Sequence, residues 1–442
     1  MIVLIVVTFL LFYLFIKSVI SNTFLKKILY IFIGYWFVAL LLSSFDPFEL
    51  NHVSDSVYII LITYVFSFVI GCSTIRNRIL TNQRFIEIGE EINSIASSFL
   101  FKLFVVACDV FLLNLYIKEQ SLLNLYSTAD LRIDLDELLY QGNSFLGLGK
   151  NMVIDPLTPI MTFLGSYLLL YNRKLVVPLI LVLFYAVVAA FLGGSRGGVL
   201  RLVTYGLFAL LAKDFLVISY RPNLGKRKLL SFFLVAIIVF IIMSNMTAQR
   251  LYGTSGFSFD AVILGGEDLC QNFITYSTGP FRALDHSFSN NYFEKLGGYK
   301  FGSCTFGFIE GLLSVFLGPL GIKYVPEYKI VSSFIQDNWI YIGGHMFNFA
   351  YTASFMHFMD FGYVGIFICP FIFGVIFSYI IKRFYHTGNP FLLIIIAYLF
   401  TVAIDSGFTW RLYRHNAGMT LLYLYFLYFW FKKTKRNIHK IH

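Results

Sequence analysis

The sequence predicts an all-α, polytopic membrane protein, and three observations carry that prediction. Of 442 residues, 58% are hydrophobic and 13% charged, and the mean hydropathy is +0.75, far beyond what a water-exposed surface tolerates. Apolar windows near membrane-spanning length recur along the chain. The basic residues behind the net charge of +10 sit in short connections between those windows, where they act as topological anchors, so no nucleic-acid partner is implied.

The windows fall at roughly 1–16, 28–45, 57–75, 97–117, 152–171, 175–193, 197–218, 229–247, 361–381, 390–408 and 417–431, about eleven transmembrane helices. Met1 to Ile16 has no basic residue ahead of it and no small-residue cleavage site, so it is expected to be a retained helix. With the N-terminus outside, the cytoplasmic connections hold Lys17, Lys26 and Lys27; Arg76, Arg78, Arg84 and Lys102; Arg173 and Lys174; Lys213, Arg221 and Lys226 to Lys228; and Lys382 and Arg383. The tail KKTKRNIHKIH adds more. The 44–56 loop, by contrast, carries only the acids Asp46, Glu49 and Asp55. This asymmetry favours an external N-terminus and a cytoplasmic C-terminus.

Residues 248–345 form one large external loop within a single membrane domain spanning 1–442, and no repeat or low-complexity linker divides the chain. Phe306 to Leu320 is apolar but short, and contains Glu310, Gly311, Gly318 and Pro319. As a further crossing it would push the basic tail outside, so it is expected as an interfacial or re-entrant helix. His345 to Met359 reads as an amphipathic segment feeding a helix that begins near Asp360. Cys72, Cys108 and Cys369 lie in or beside spans as packing residues, while Cys270 and Cys304 share the outer loop, where either a disulfide or two thiols are open.

The sharpest local motif is Gly193-Gly194-Ser195-Arg196-Gly197-Gly198, a glycine-flanked arginine in a tight external turn. Glycines let the backbone approach a ligand and leave amides free for anions. The same letters satisfy G-x-S-x-G, but a hydrolase elbow needs a strand before the turn, and membrane helices flank this one. Arg250, Arg282, Arg411 and Arg414 belong to the same face, several beside aromatics, and together with Arg196 they fit a phosphate or pyrophosphate site. The alternative is that each pairs with headgroups or with Glu267, Asp268, Asp285 or Asp405. Candidate bases on this side are His286, His345, His357 and His415, with Asp285, Glu310 and Asp360. The kinase-like triplet Asp360-Phe361-Gly362 lacks every companion motif, and no metal-ligand spacing appears, so no metal or other cofactor is expected.

The many-spanned layout, the GGSRGG turn and the loop opening AQRLYG are joined by two later stretches. These are Asn348-Phe349-Ala350-Tyr351-Thr352 and Asp360-Phe361-Gly362-Tyr363-Val364-Gly365. In these features the chain resembles the O-antigen polymerases, the Wzy-type oligosaccharide repeat-unit polymerases. The resemblance implies a GT-C-like membrane glycosyltransferase architecture in a bacterial inner membrane, with the active face periplasmic. It implies transfer of a growing glycan from undecaprenyl pyrophosphate to a hydroxyl on the next lipid-linked unit. Its partners would be undecaprenyl-pyrophosphate-linked oligosaccharides, membrane lipids and a chain-length regulator protein. Arg196, Arg250 and Arg282 would then clamp pyrophosphate and glycan, with Arg411 and Arg414 in support. His345 is the first choice for base and Asp360 the second, and Asn348 joins the substrate-binding set. Tyr252, Tyr276, Tyr292 and Trp339 would stack on sugar rings or pack against lipid. An O-antigen ligase needs the same arginines but a different acceptor. A flippase or transporter for the lipid-linked oligosaccharide would bury ionisable groups near the midplane, where Asp109 is the clearest acid.

Overall fold

Most apolar windows become helices in the computed structural model. It describes residues 1–46, 49–75, 86–123, 144–192, 196–213, 237, 240–241, 243–245, 247–248, 258–317, 320–322, 324–343, 345–347 and 351–441. The helices are α1 (Ile2–Val19), α2 (Thr23–Phe45), α3 (Asp55–Ser73), α4 (Ile86–Ser97), α5 (Phe99–Leu123), α6 (Asp155–Tyr171), α7 (Val176–Phe191) and α8 (Arg196–Leu211). They continue with α9 (Phe259–Ser289), α10 (Gly307–Leu317), α11 (Glu327–Asp337), α12 (Ala353–Thr387), α13 (Pro390–Asp405) and α14 (His415–Ile441). Among the described residues, six helical stretches are long and apolar enough to cross a membrane: Ile2–Val19, Thr23–Phe45, Asp55–Ser73, Phe99–Glu119, Leu146–Tyr171 and Ala353–Thr387. Shorter apolar helices accompany them. The chain is therefore an all-α protein of multi-pass membrane character. Most of the window at 229–247 lies outside the described residues.

The chain divides into two compact units, one of residues 1–81 with 273–442 and one of residues 82–272. In the second unit, tyrosine hydroxyls bind helices together at backbone carbonyls. Tyr167 donates to Gly89 O (3.1 Å), Tyr171 to Ala209 O (2.8 Å) and Tyr185 to Ile154 O (2.7 Å). A π-helical turn, Lys150–Ile154, precedes α6. Asp109 is buried mid-helix in α5, and among the described residues neither of its carboxylate oxygens has a hydrogen-bond partner.

In the first unit α3 and α12 meet backbone to backbone. A Cβ at Gly71 would collide with the Phe371 carbonyl and one at Gly374 with the Phe68 carbonyl, and Ser67 Oγ donates to Phe367 O. Small residues at such crossings let apolar helices approach closely where lipid supplies no hydrophobic driving force between them. The two ends of this unit differ chemically. At one end Tyr385 Oη donates to Asn22 Oδ1 (3.3 Å), and Asn389 Nδ2 to Tyr428 O (3.4 Å), with Lys17, Lys26, Lys382 and Arg383 nearby in sequence. At the other end meet the α2–α3 loop, the turn before α10, the hairpin before α12 and the α13–α14 turn. An external N-terminus would put all four of these segments on one face.

The large loop and the start of α12 carry more local structure than their hydropathy suggests. Within the segment expected to be amphipathic over 345–359, residues 345–347 form a strand, β2 (His345–Phe347), paired antiparallel with β1 (Ile340–Ile342). The helix expected to begin near Asp360 does start anew there, because the non-helical Gly362 (φ 62°, ψ −148°) breaks α12 into a helical segment from Ala353 and a longer one from Tyr363. The segment 306–320 holds α10, whose 11 residues rise about 16 Å, roughly half the hydrocarbon thickness. It packs on the start of α14 through glycines. A Cβ at Gly307 would lie 2.7 Å from Tyr413 O, one at Gly311 2.8 Å from His415 Cβ, and one at Gly418 2.9 Å from Leu312 and Phe308.

Candidate functional site

Arg282 lies on α9, a 31-residue helix whose apolar face packs inward. Its guanidinium is buried and committed to protein. Nη2 donates to Asp46 Oδ1 (2.7 Å), Nε to Asn51 O (2.8 Å) and Nη1 to Thr278 O (3.3 Å). Burial pulls its pKa below the ordinary guanidinium value, and the Asp46 carboxylate opposes that shift. One turn further along the helix, Asp285 accepts from Ser54 N (3.1 Å) and Ser54 Oγ (2.6 Å). Together the two side chains hold the α2–α3 loop at Asp46, Asn51 and Ser54.

The same loop carries the hairpin. Asn51 Nδ2 donates to Tyr341 O (3.1 Å), Leu50 fills the space beside Gly343, and the Phe347 ring presses against Gly279 of α9. His345, opposite Ile342, thus stands on a strand fixed to the Arg282 loop. Asn348 lies outside the described residues. His286, half-buried, is held below the usual histidine pKa by burial and by Lys295, against a weaker opposing pull from Asp285.

A second cluster forms where α12 begins. The Asp360 carboxylate accepts the amides of Cys304 (Oδ1, 3.0 Å) and Thr305 (Oδ2). Thr305 Oγ1 lies 3.0 Å from His357 Nδ1, and it also hydrogen-bonds Asp360. Trp410 Nε1 donates to Thr305 O (2.7 Å), and Ala353 N to Ser406 O (2.8 Å). Three segments distant in sequence are thereby locked together: 302–305, 351–360 and 405–411. His357 sits between Tyr64 (5.9 Å, stacked) and Trp410 (4.7 Å, edge-on). Among the described residues its Nε2 has no hydrogen-bond partner, nor do the hydroxyls of Thr352 and Ser354, all of them buried. Asp360 has the geometry of a turn anchor acting through Thr305 on His357, and sequence reasoning had no local signal for that link.

Arg411 pairs with Asp405, one of the acids foreseen as a possible partner for an arginine. Arg414 is exposed. Its Nε donates to Tyr413 Oη (3.0 Å), and its guanidinium lies 5.3 Å from that ring's centroid. Arg196 is the first residue of α8, in the other unit, and residues 193–195 of its turn lie outside the described residues, as do Arg250 and Tyr252. Arg282, His345, Asp360, Arg411 and Arg414 therefore share one unit, whereas Arg196 belongs to the other. Tyr292 is buried, Trp339 is exposed, and Tyr276 faces Phe408 at 6.3 Å.

Cys304 is a wholly buried free thiol, so the loop disulfide is not formed. Its amide is tied to Asp360, which fixes it inside the turn, and burial first, then Asp360, push its pKa up. Among the described residues no cluster of His, Cys, Asp and Glu could hold a metal ion. Compared with known protein families, with curated proteins and with solved structures, the chain matches none.

Proposed function

We propose that this protein is a multi-pass membrane glycosyltransferase. On this reading it polymerises oligosaccharide repeat units by moving a growing glycan from undecaprenyl pyrophosphate to a hydroxyl on the next lipid-linked unit. One observation carries the proposal. Tyr351, Thr352 and Asp360, from the stretches that bear the resemblance to the O-antigen polymerases, lie in one buried polar cluster with Trp410. Buried polar groups left without partners at one end of a membrane bundle are a functional signal, because keeping them there costs stability.

In this mechanism Arg196, at a helix N-terminus, and Arg250 stabilise charge on the departing pyrophosphate. Arg411 and Arg414 contribute positive charge at the α13–α14 turn, and Arg282 holds the framework. His345 takes the proton of the acceptor hydroxyl. Asp360 is a positioning residue, and His357, oriented through Thr305, is the alternative base. The active face is periplasmic in the inner membrane of a bacterium, and a chain-length regulator is an expected partner.

The test is cellular. Arg196→Ala and Arg250→Ala should each shorten or abolish the polymer while the protein accumulates normally. Unchanged polymer length and yield would remove the pyrophosphate clamp. A ligase would give single-unit transfer to a different acceptor in place of a ladder.

A further inference from the structure

Phe301 joins two features that a turn in water does not keep together. It is 81% exposed, and its φ of 47° lies in the left-handed region that disfavours side chains. Tyr299 and Phe306, on either side of it, are exposed as well. The turn is nonetheless tightly held. Lys300 N donates to Met359 O (2.9 Å), Ser303 N to Lys300 O (3.0 Å) and Phe306 N to Gly302 O (2.7 Å), while Asp360 holds the next two amides. The sole charged side chain from 299 to 306, Lys300, is mostly buried and turned aside to Glu327 at 3.0 Å.

The aromatic tip also continues another surface. Tyr299 packs over Gly362, the kink in α12, and its ring meets Phe293 at 4.7 Å. From that kink onward α12 exposes Tyr363, Val364, Phe367 and Ile368, the face that a membrane helix turns to lipid. A strained, tightly held aromatic turn, its one charge turned aside to Glu327, thus extends the lipid-facing band beyond the helix itself.

We propose that the 299–306 turn is a membrane-inserting wedge. Phe301, Tyr299 and Phe306 enter the boundary between headgroups and acyl chains of the leaflet on the large-loop side. The ligand is the lipid bilayer, and the inference stands whether or not the protein transfers sugars. Since Asp360 fastens this turn to His357, the wedge fixes the depth of the polar cluster relative to the leaflet.

The experiment uses full-length protein in phosphatidylcholine vesicles, with Cys270→Ser and a nitroxide attached at Phe301→Cys. Spin-label collision with oxygen should exceed collision with a water-soluble nickel chelate, and a control label at Asp337→Cys should show the reverse. Phe301→Trp should show blue-shifted emission relative to the parent protein. Labels at Tyr299→Cys and Phe306→Cys carry the test if the Phe301 variants fail to fold. Nickel accessibility at all three positions equal to that at 337 would overturn the wedge. So would dipolar broadening that disappears on dilution with unlabelled protein, which would show a second copy covering the patch.

Discussion

Arg282 Nη2 donates to Asp46 Oδ1 at 2.7 Å, joining positions 236 residues apart and fixing the α2–α3 loop to α9. Breaking it leaves a charge with no partner in a site where Arg282 is 3% exposed. Arg282→Ala should lower unfolding stability by on the order of 3 kcal/mol. Arg282→Lys should recover little, because an ammonium cannot reach Asp46, Asn51 O and Thr278 O together. Thermal unfolding in detergent checks this, and a stability unchanged by either variant would show that the clasp does not hold the loop.

Gly362 occupies a backbone region essentially reserved for glycine, and a Cβ there would meet Tyr299 Oη at 3.1 Å. Gly362→Ala should cost about 1–3 kcal/mol and reduce the folded yield. Size-exclusion profiles and melting of purified variant protein give the comparison, with Gly34→Ala, where nothing lies within 4 Å, as the mild control.

Cys304 should resist thiol reagents in the folded protein at pH 8 and react once the chain is unfolded, with no mobility change on reduction. Its folded pKa lies above the ordinary thiol value of 9.0, so its contribution to stability is present below about pH 9 and declines as pH rises further. Rapid labelling of the native protein at pH 8 would contradict the buried turn.

The two histidines separate by experiment. His345→Ala should abolish transfer with little effect on stability, because its strand is held by backbone pairing. His357→Ala should lower both, since its ring fills the space between Tyr64 and Trp410. If His357→Gln retains the fold and loses activity while His345→Ala remains active, the base is His357.

Hydropathy finds α2, α3, α7 and α13 close to their limits, because helices that face lipid or pack inside the bundle are apolar over their whole length. The same signal missed α9, whose Glu267, Asp268, Arg282 and Asp285 lower its mean hydropathy, although alternating faces bury Phe281 and Leu284. Asp360-Phe361-Gly362 stood out as letters, but its meaning as carboxylate anchor and kink depends on Thr305 and Tyr299, far from it in sequence. The Arg411 pairing with Asp405 was open to sequence reasoning because only a short turn separates the residues. The Arg282 pairing with Asp46 was not, since no local spacing encodes a contact between segments 236 residues apart.

Polymerisation is measured by reconstituting purified protein with undecaprenyl-pyrophosphate-linked repeat units. A ladder of lipid-linked products should grow with time and be lost in Arg196→Ala. A folded, reconstituted protein that yields no product longer than the starting unit would contradict it.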